Sequence, residues 1–355
     1  MTDGRRENPR VIVLAKINDR HLNFVRRIAS AAALVTCPDE ESALTHAVGA
    51  RAIATWGWTS PARLVAAAKD LEWIHSLSAG VEGLLIPEIL DRPITLTNSR
   101  GVHGLPIAEH VLALILAFTR GLVPALRYQR ERRWERIRAT EVGGKTLGLI
   151  GLGGIGRQVA QRASVLGMRV IALRARPGDR TVQPPAWEGA APTPDEEADK
   201  APPGAPPCPS VLPPGVDRML PPDKLPELLA ASDFVVVAVP LTDRTRGFIG
   251  EPELALMKPD AILINIARGG VVDEPALINA LKEGRLGGAG LDVFRTEPLP
   301  PESEFWGLEN VIVTPHIAAS SPYLMDRAWE LFARNLERFI EGKELLNQVD
   351  KVLGY

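Results

Sequence analysis

The chain has 355 residues, 45% of them hydrophobic and 24% charged, with a formal net charge of −2. That length suits two domains of moderate size, each with its own core, and the composition excludes disorder of the whole chain. So small a net charge provides no long-range field for a nucleic acid or an anionic membrane, which leaves a small molecule as the expected partner.

Cys37 and Cys208 are far apart and belong to no CxxC pair or Cys/His cluster. A reducing compartment is expected, and a structural metal is not. The first ten residues are polar, and the apolar run at 11–15 is far too short for a signal segment or a membrane span, so a cytoplasmic location is expected.

Short apolar runs alternate with stretches of helical period, the pattern of βα units on a parallel sheet. Residues 11–15, 52–56 and 73–77 read as strands of a first α/β domain, with alanine-rich helices between them. Residues 106–122 (PIAEHVLALILAFTRGL) form a long, mostly buried helix with Pro106 near its first position. The second domain follows, with strands at 146–150, 169–173, 234–239, 261–265, 288–292 and 311–314, all continuous apolar runs as buried parallel strands require. An amphipathic helix at 321–341 precedes a polar tail and returns to the first domain. The expected fold is two Rossmann-like doubly wound domains with a cleft between them: residues 1–102 with 319–355 to bind substrate, and 103–318 to bind a dinucleotide.

The stretch 177–214 breaks this pattern. Roughly one residue in three is proline there, and such a composition cannot bury enough apolar surface to offset the entropy of ordering it. A disordered surface insertion is expected.

Residues 146–156 read TLGLIGLGGIG, a strand that runs straight into Gly151, Gly153 and Gly156 with a helix behind. Gly151 permits the tight turn, Gly153 lets the backbone approach a pyrophosphate, and Gly156 lets helix and strand pack closely. The phosphates then lie on the free N–H groups of the helix N-terminus. After the second strand, where an NAD enzyme places an acid for the ribose 2′-OH, this chain has Arg174, with Arg176 close by. A guanidinium there suits the extra phosphate of NADP, so NADP is the expected cofactor, with NAD as the alternative.

Three polar residues stand beyond successive strands: Arg268 in INIARGGVVDE, Glu297 in GLDVFRTEPLP and His316 in VIVTPHIAAS. Ligands of open α/β sheets collect at the carboxyl ends of strands. Reduction of a 2-oxo acid needs a cation for the carboxylate, a proton donor for the carbonyl oxygen and a hydride, and these side chains supply the first two. His110, inside the long helix, reads as a packing or interface residue. Trp56 and Trp58 either wall a substrate pocket or are ordinary aromatics.

With these blocks the chain resembles the D-isomer-specific 2-hydroxyacid dehydrogenases, and within them the glyoxylate/hydroxypyruvate reductases. The markers are SAGVEGL at 78–84, NSRGVHGLPIAEHVL at 98–112, GLGGIG, VPLTDRTRGFIG at 239–250, INIARGG, GLDVF, TEPLP and TPHIA. Before about position 70 the likeness is faint. The resemblance implies that Arg268 binds the substrate carboxylate and carbonyl and that His316 is the acid in reduction and the base in oxidation. Glu297 then orients the imidazole and keeps it protonated.

By the same resemblance Asp292 and His316 lie near the nicotinamide, Val239, Ile266 and Ala267 line the cofactor, and Gly154 and Ile155 cover the pyrophosphate. The backbone of Ala79, Gly80 and Val81 holds the substrate carboxylate. A homodimer is implied too. Two other readings stay open on the residues alone: a dinucleotide-sensing, corepressor-like scaffold, and a formate- or phosphite-type dehydrogenase.

Overall fold

A computed structural model describes residues 8–174, 212–352 and 354. Arg176 and residues 177–211 of the proline-rich stretch lie outside the described residues. The chain divides into two compact units, Met1–Val102 with Ser321–Tyr355 and, between these pieces, His103–Ser320.

In the first unit β1 (Arg10–Leu14), α1 (Asp19–Ile28), β2 (Ala33–Cys37), α2 (Glu40–Leu44), β3 (Ala50–Thr55), α3 (Ala62–Ala67), β4 (Trp73–Ser76), α4 (Pro87–Leu90) and β5 (Thr95–Asn98) follow one another. The strands form a parallel sheet in the order β2-β1-β3-β4-β5. Successive side chains of a strand point to opposite faces. Ile12, Leu14, Ile53 and Ile74 therefore enter one apolar layer, and Val11, Val13, Ala52, Ala54 and Trp73 the other.

The second unit holds α5 (Gly104–Thr119), α6 (Leu122–Arg130), β6 (Thr146–Ile150), α7 (Gly154–Val165), β7 (Arg169–Leu173), β8 (Arg218–Leu220), α8 (Leu225–Ala231), β9 (Phe234–Val237), α9 (Glu251–Ala255), β10 (Ile262–Asn265), α10 (Glu274–Lys282), β11 (Gly288–Leu291) and β12 (Val311–Val313). Its seven strands are parallel, in the order β12-β11-β10-β9-β6-β7-β8. The order reverses between β6 and β9, the place where doubly wound sheets open toward a ligand.

The final helix α11 (Leu324–Ile340) belongs to the first unit. Its Trp329, Phe332 and Leu336 are fully buried against the layer that contains Trp73, and Phe332 stacks on that indole at 5.6 Å between ring centres. His21 of α1 and Asp326 of α11 join through Nε2 and Oδ1 at 2.6 Å.

Several elements differ from the sequence reading. The long helix starts at Gly104, so Pro106 is its third residue; the first turn has no intrahelical use for its N–H groups, and proline sacrifices no bond there. It stops before Gly121, which adopts φ +65°, and α6 continues at a bend of 68°. No single helix among the described residues is long and apolar enough to cross a membrane.

The polar tail is integrated into the sheet. Val349 N–H donates to the Leu96 carbonyl at 2.8 Å, Asn98 N–H donates to the Asn347 carbonyl at 3.1 Å, and Thr97 bridges Gln348, which covers the otherwise open edge of β5.

One buried titratable group affects the stability of this first unit. His75 on β4 is fully buried, with Nδ1 2.8 Å from Thr97 Oγ1 and Nε2 3.2 Å from Ser99 Oγ, and burial lowers its pKa from 6.5 to about 3. Below pH 6.5 the unfolded chain takes up a proton that the folded unit refuses until about pH 3. Stability is thus complete above that window and declines by about 1.4 kcal/mol per pH unit as pH falls through it. Urea unfolding of wild type and His75→Gln from pH 7 to pH 4 measures this. The variant should show the flatter dependence, and parallel curves would remove His75 as the cause.

Candidate active site

The glycine turn after β6 is built by backbone contact. Gly151 has φ +106°, and a Cβ there would lie 2.7 Å from the Ala238 carbonyl oxygen, just beyond β9. At Gly156 a Cβ would lie 2.3 Å from the Gly151 carbonyl oxygen, so the first turn of α7 rests on the end of β6. Gly153 is exposed, and a Cβ there would meet nothing within 4 Å.

No side chain caps the twelve-residue α7, which begins at Gly154 and continues through Ile155 and Gly156. Open space over a bare backbone, before a helix whose first N–H groups have no side-chain partner, fits the pyrophosphate of a dinucleotide. Val239 follows β9 and is half-buried, while Ile266 and Ala267 follow β10 and are buried. Arg174, one residue beyond β7, is half-buried, and its N–H donates to the Leu220 carbonyl at 3.1 Å.

Arg268, Glu297 and His316 follow β10, β11 and β12, three adjacent parallel strands. His316 Nδ1 lies 2.6 Å from Glu297 Oε2, and the other carboxylate oxygen accepts the Phe294 N–H at 2.9 Å. The histidine backbone is held at φ +53° while its N–H donates to the Asp292 carbonyl at 2.9 Å. A non-glycine residue in the left-handed region costs free energy, which the surrounding hydrogen bonds must offset. The imidazole and the Glu297 carboxylate are both partly open to solvent, at 48% and 35%.

Asp292 is the buried centre of this region, 1% exposed. Its Oδ1 accepts from Thr314 Oγ1 at 2.6 Å and Ile317 N–H at 2.9 Å, and its Oδ2 accepts from Ala318 N–H at 2.9 Å. His110 of α5 approaches the same group, with Nε2 3.1 Å from Thr314 Oγ1 and 3.7 Å from Asp292 Oδ1.

On the neighbouring connection Asn265 is buried and braces the Arg268 turn: its Nδ2 donates to the Arg268 carbonyl at 3.1 Å and its Oδ1 accepts from Ala267 N–H at 3.1 Å. Sequence reading missed Asn265 and Thr314. Their signal was a polar residue at the very end of an apolar run.

In the first unit Gly57 presses on the loop that holds Ala79, Gly80 and Val81. A Cβ at Gly57 would lie 1.8 Å from the Gly80 carbonyl oxygen, and the Gly57 N–H donates to Ser78 Oγ at 3.0 Å. Asn98 Nδ2 donates to the Ala79 carbonyl at 2.8 Å, which anchors the loop from β5. Among the described residues no acceptor takes the N–H of Ala79, Gly80 or Val81. Trp56 and Trp58 stack with ring centres 4.6 Å apart, and Trp58 is 65% exposed.

The model of the D-isomer specific 2-hydroxyacid dehydrogenase NAD binding domain matches residues 112–189 and 215–318. The chain belongs to this family. It is 36% identical over 299 residues to a glyoxylate reductase of Korarchaeum cryptofilum, covering 81% of this chain and 79% of that one. A glyoxylate reductase of Thermococcus gammatolerans is 39% identical over 285 residues, covering 78% and 75%.

Among solved structures, the NADPH-dependent glyoxylate/hydroxypyruvate reductase of Sinorhizobium meliloti, crystallised with NADP and sulfate, superposes with a TM-score of 0.77 at 27% identity, over 98% of this chain and all of that one. The protein is therefore an NAD(P)-dependent oxidoreductase of the 2-hydroxyacid dehydrogenase family, and its cofactor is a nicotinamide dinucleotide.

Asp292 offers a direct check on how this dehydrogenase holds its loops. An asparagine would present an amide NH₂ to donors that now meet a carboxylate oxygen. Asp292→Asn should therefore lower stability by about 2–3 kcal/mol. Urea unfolding at neutral pH measures it, and an unchanged midpoint would show that the three hydrogen bonds contribute little.

Proposed function

We propose that this dehydrogenase reduces a small 2-oxo acid of the glyoxylate or hydroxypyruvate class to the corresponding D-2-hydroxy acid, with NADPH as the preferred donor. The observation that carries the reading is the His316–Glu297 pair beside the Arg268 turn, on adjacent strand ends of a sheet whose glycine turn fits a dinucleotide. The names of the similar proteins support the substrate class, because they are glyoxylate and glyoxylate/hydroxypyruvate reductases. They favour neither a dinucleotide-sensing scaffold nor a formate or phosphite oxidiser.

A nicotinamide dinucleotide supplies the hydride that the carbonyl carbon accepts. With Nδ1 engaged by Glu297, Nε2 is the nitrogen through which His316 passes a proton to the carbonyl oxygen as that oxygen gains charge. The Glu297 carboxylate fixes the ring and its tautomer. In the oxidative direction the neutral ring takes the proton back. The Arg268 guanidinium holds the substrate carboxylate through charge-assisted hydrogen bonds, and the N–H groups of Ala79, Gly80 and Val81 are assigned to substrate binding by the first unit.

Gly151, Gly153, Gly154, Ile155 and Gly156 are assigned to the pyrophosphate, Val239, Ile266, Ala267 and Asp292 to the rest of the dinucleotide, and Arg174 to the 2′-phosphate. The missing acid at position 174 and the NADP bound by the Sinorhizobium enzyme support the choice of NADPH.

Removing the proton donor with His316→Ala should lower kcat about 100-fold or more. Arg268→Ala should raise KM for the 2-oxo acid and lower kcat, while thermal melting of both variants stays near wild type. Near-normal turnover in either variant refutes the role given to that residue. For the cofactor, wild type should show a kcat/KM at least about tenfold higher with NADPH than with NADH, and Arg174→Asp should shrink or reverse the ratio. Equal or better use of NADH by wild type ends the NADPH assignment.

A further inference from the structure

Where the connection that carries Arg268 enters α10, a charged residue reaches the turn after β11. Glu274 is the first residue of α10, whose N-terminus is capped by the Asp273 side chain. Glu274 Oε1 accepts the Arg295 N–H at 2.6 Å. The preceding N–H, that of Phe294, is taken by Glu297. Two consecutive peptide N–H groups are thus divided between two carboxylates, one from α10 and one from the turn itself.

The same connection touches this turn a second time. At Gly269 a Cβ would lie 1.9 Å from the Phe294 carbonyl carbon and 2.2 Å from the Arg295 nitrogen, so backbone meets backbone with no room for a side chain. Gly269 in the connection and Glu274 at the start of α10 together grip the Phe294–Arg295 peptide.

We propose that Glu274 is a positioning residue of the proposed reduction: its carboxylate pins the turn that presents Glu297, and through Glu297 the His316 ring, to the connection that carries Arg268. Burial, with Asp273 and Glu297 close by, pushes the Glu274 carboxyl up, while the Arg295 N–H pulls it down. A half-buried carboxylate beside two other acids is an unfavourable choice for stability alone. Its compensation is geometric. A misplacement of the Glu297 turn by a fraction of an ångström transfers directly to the imidazole, 2.6 Å away.

The inference rests on the reduction proposed above, and its test separates the two. Glu274→Ala should lower kcat about tenfold, with KM and the dinucleotide Kd changed by no more than about twofold. Glu274→Gln retains an acceptor oxygen and should recover most of the loss. Glu274→Asp withdraws the acceptor without opening a cavity and should behave like the alanine variant, which also covers the case in which alanine folds poorly.

Amide hydrogen exchange at Arg295 provides a readout independent of turnover: it should accelerate in the Ala and Asp variants and stay slow in Gln. Wild-type kcat in the Ala and Asp variants, or unchanged Arg295 exchange, overturns the inference. If wild type reduces no 2-oxo acid, the reaction reading fails while the exchange pattern still decides whether Glu274 pins the turn.

Discussion

The arrangement of the second unit's site depends on how closely two backbone segments approach. Gly269 lies on the Phe294–Arg295 peptide with no space for a Cβ, so the turn after β10 and the turn after β11 are fixed against each other at the level of main-chain atoms. Main-chain contact has no rotamers, which makes it a stiffer reference than any side-chain pair. Arg268 is the residue before that contact and Glu297 lies three residues past Phe294. Gly151 does the same on the other side of β9, where it closes on the Ala238 carbonyl.

From that rigid base the polar groups are graded by exposure. Asp292 is almost completely buried, and its two oxygens accept three donors, which makes a buried charge tolerable. The Asp292 carbonyl then takes the His316 N–H and helps hold that residue in the left-handed region. The last pair, the imidazole and Glu297, is partly open to solvent. Structural demands are met inside, and the groups assigned to proton transfer are left accessible.

Much of this was legible in the sequence, for identifiable reasons. The central strands of the second unit are unbroken apolar runs, because helices cover both faces of a parallel sheet, and β6 and β7 match their expected bounds. The expected strands ended too late at Val239, Asp292 and Thr314, which are loop residues beyond β9, β11 and β12. Continuity of an apolar run does not mark where hydrogen bonding to the next strand ends.

Strands β2 and β5 were missed for opposite reasons. β2 is a half-exposed edge whose ALVTC continues a run of alanines and so reads as part of an alanine-rich helix. β5 reads TLTN, yet Thr97 and Asn98 are buried, because Trp73 Nε1 and His75 Nδ1 meet Thr97 Oγ1 and the Ala79 carbonyl meets Asn98. Partners that lie about twenty residues away leave no local trace. Glu274, whose partner is the Arg295 N–H, escaped notice on the same grounds.

The path of the chain also bears on synthesis. The second unit is one continuous segment, His103–Ser320, and its contacts are complete once that segment has left the ribosome. The first unit is not. The apolar layer that α1 covers with Val25 and Ala29 is completed only by Trp329, Phe332 and Leu336, and the outer edge of β5 waits for residues near Val349. The strands of the first unit therefore stay only partly covered until α11, which is made after the whole second unit, arrives.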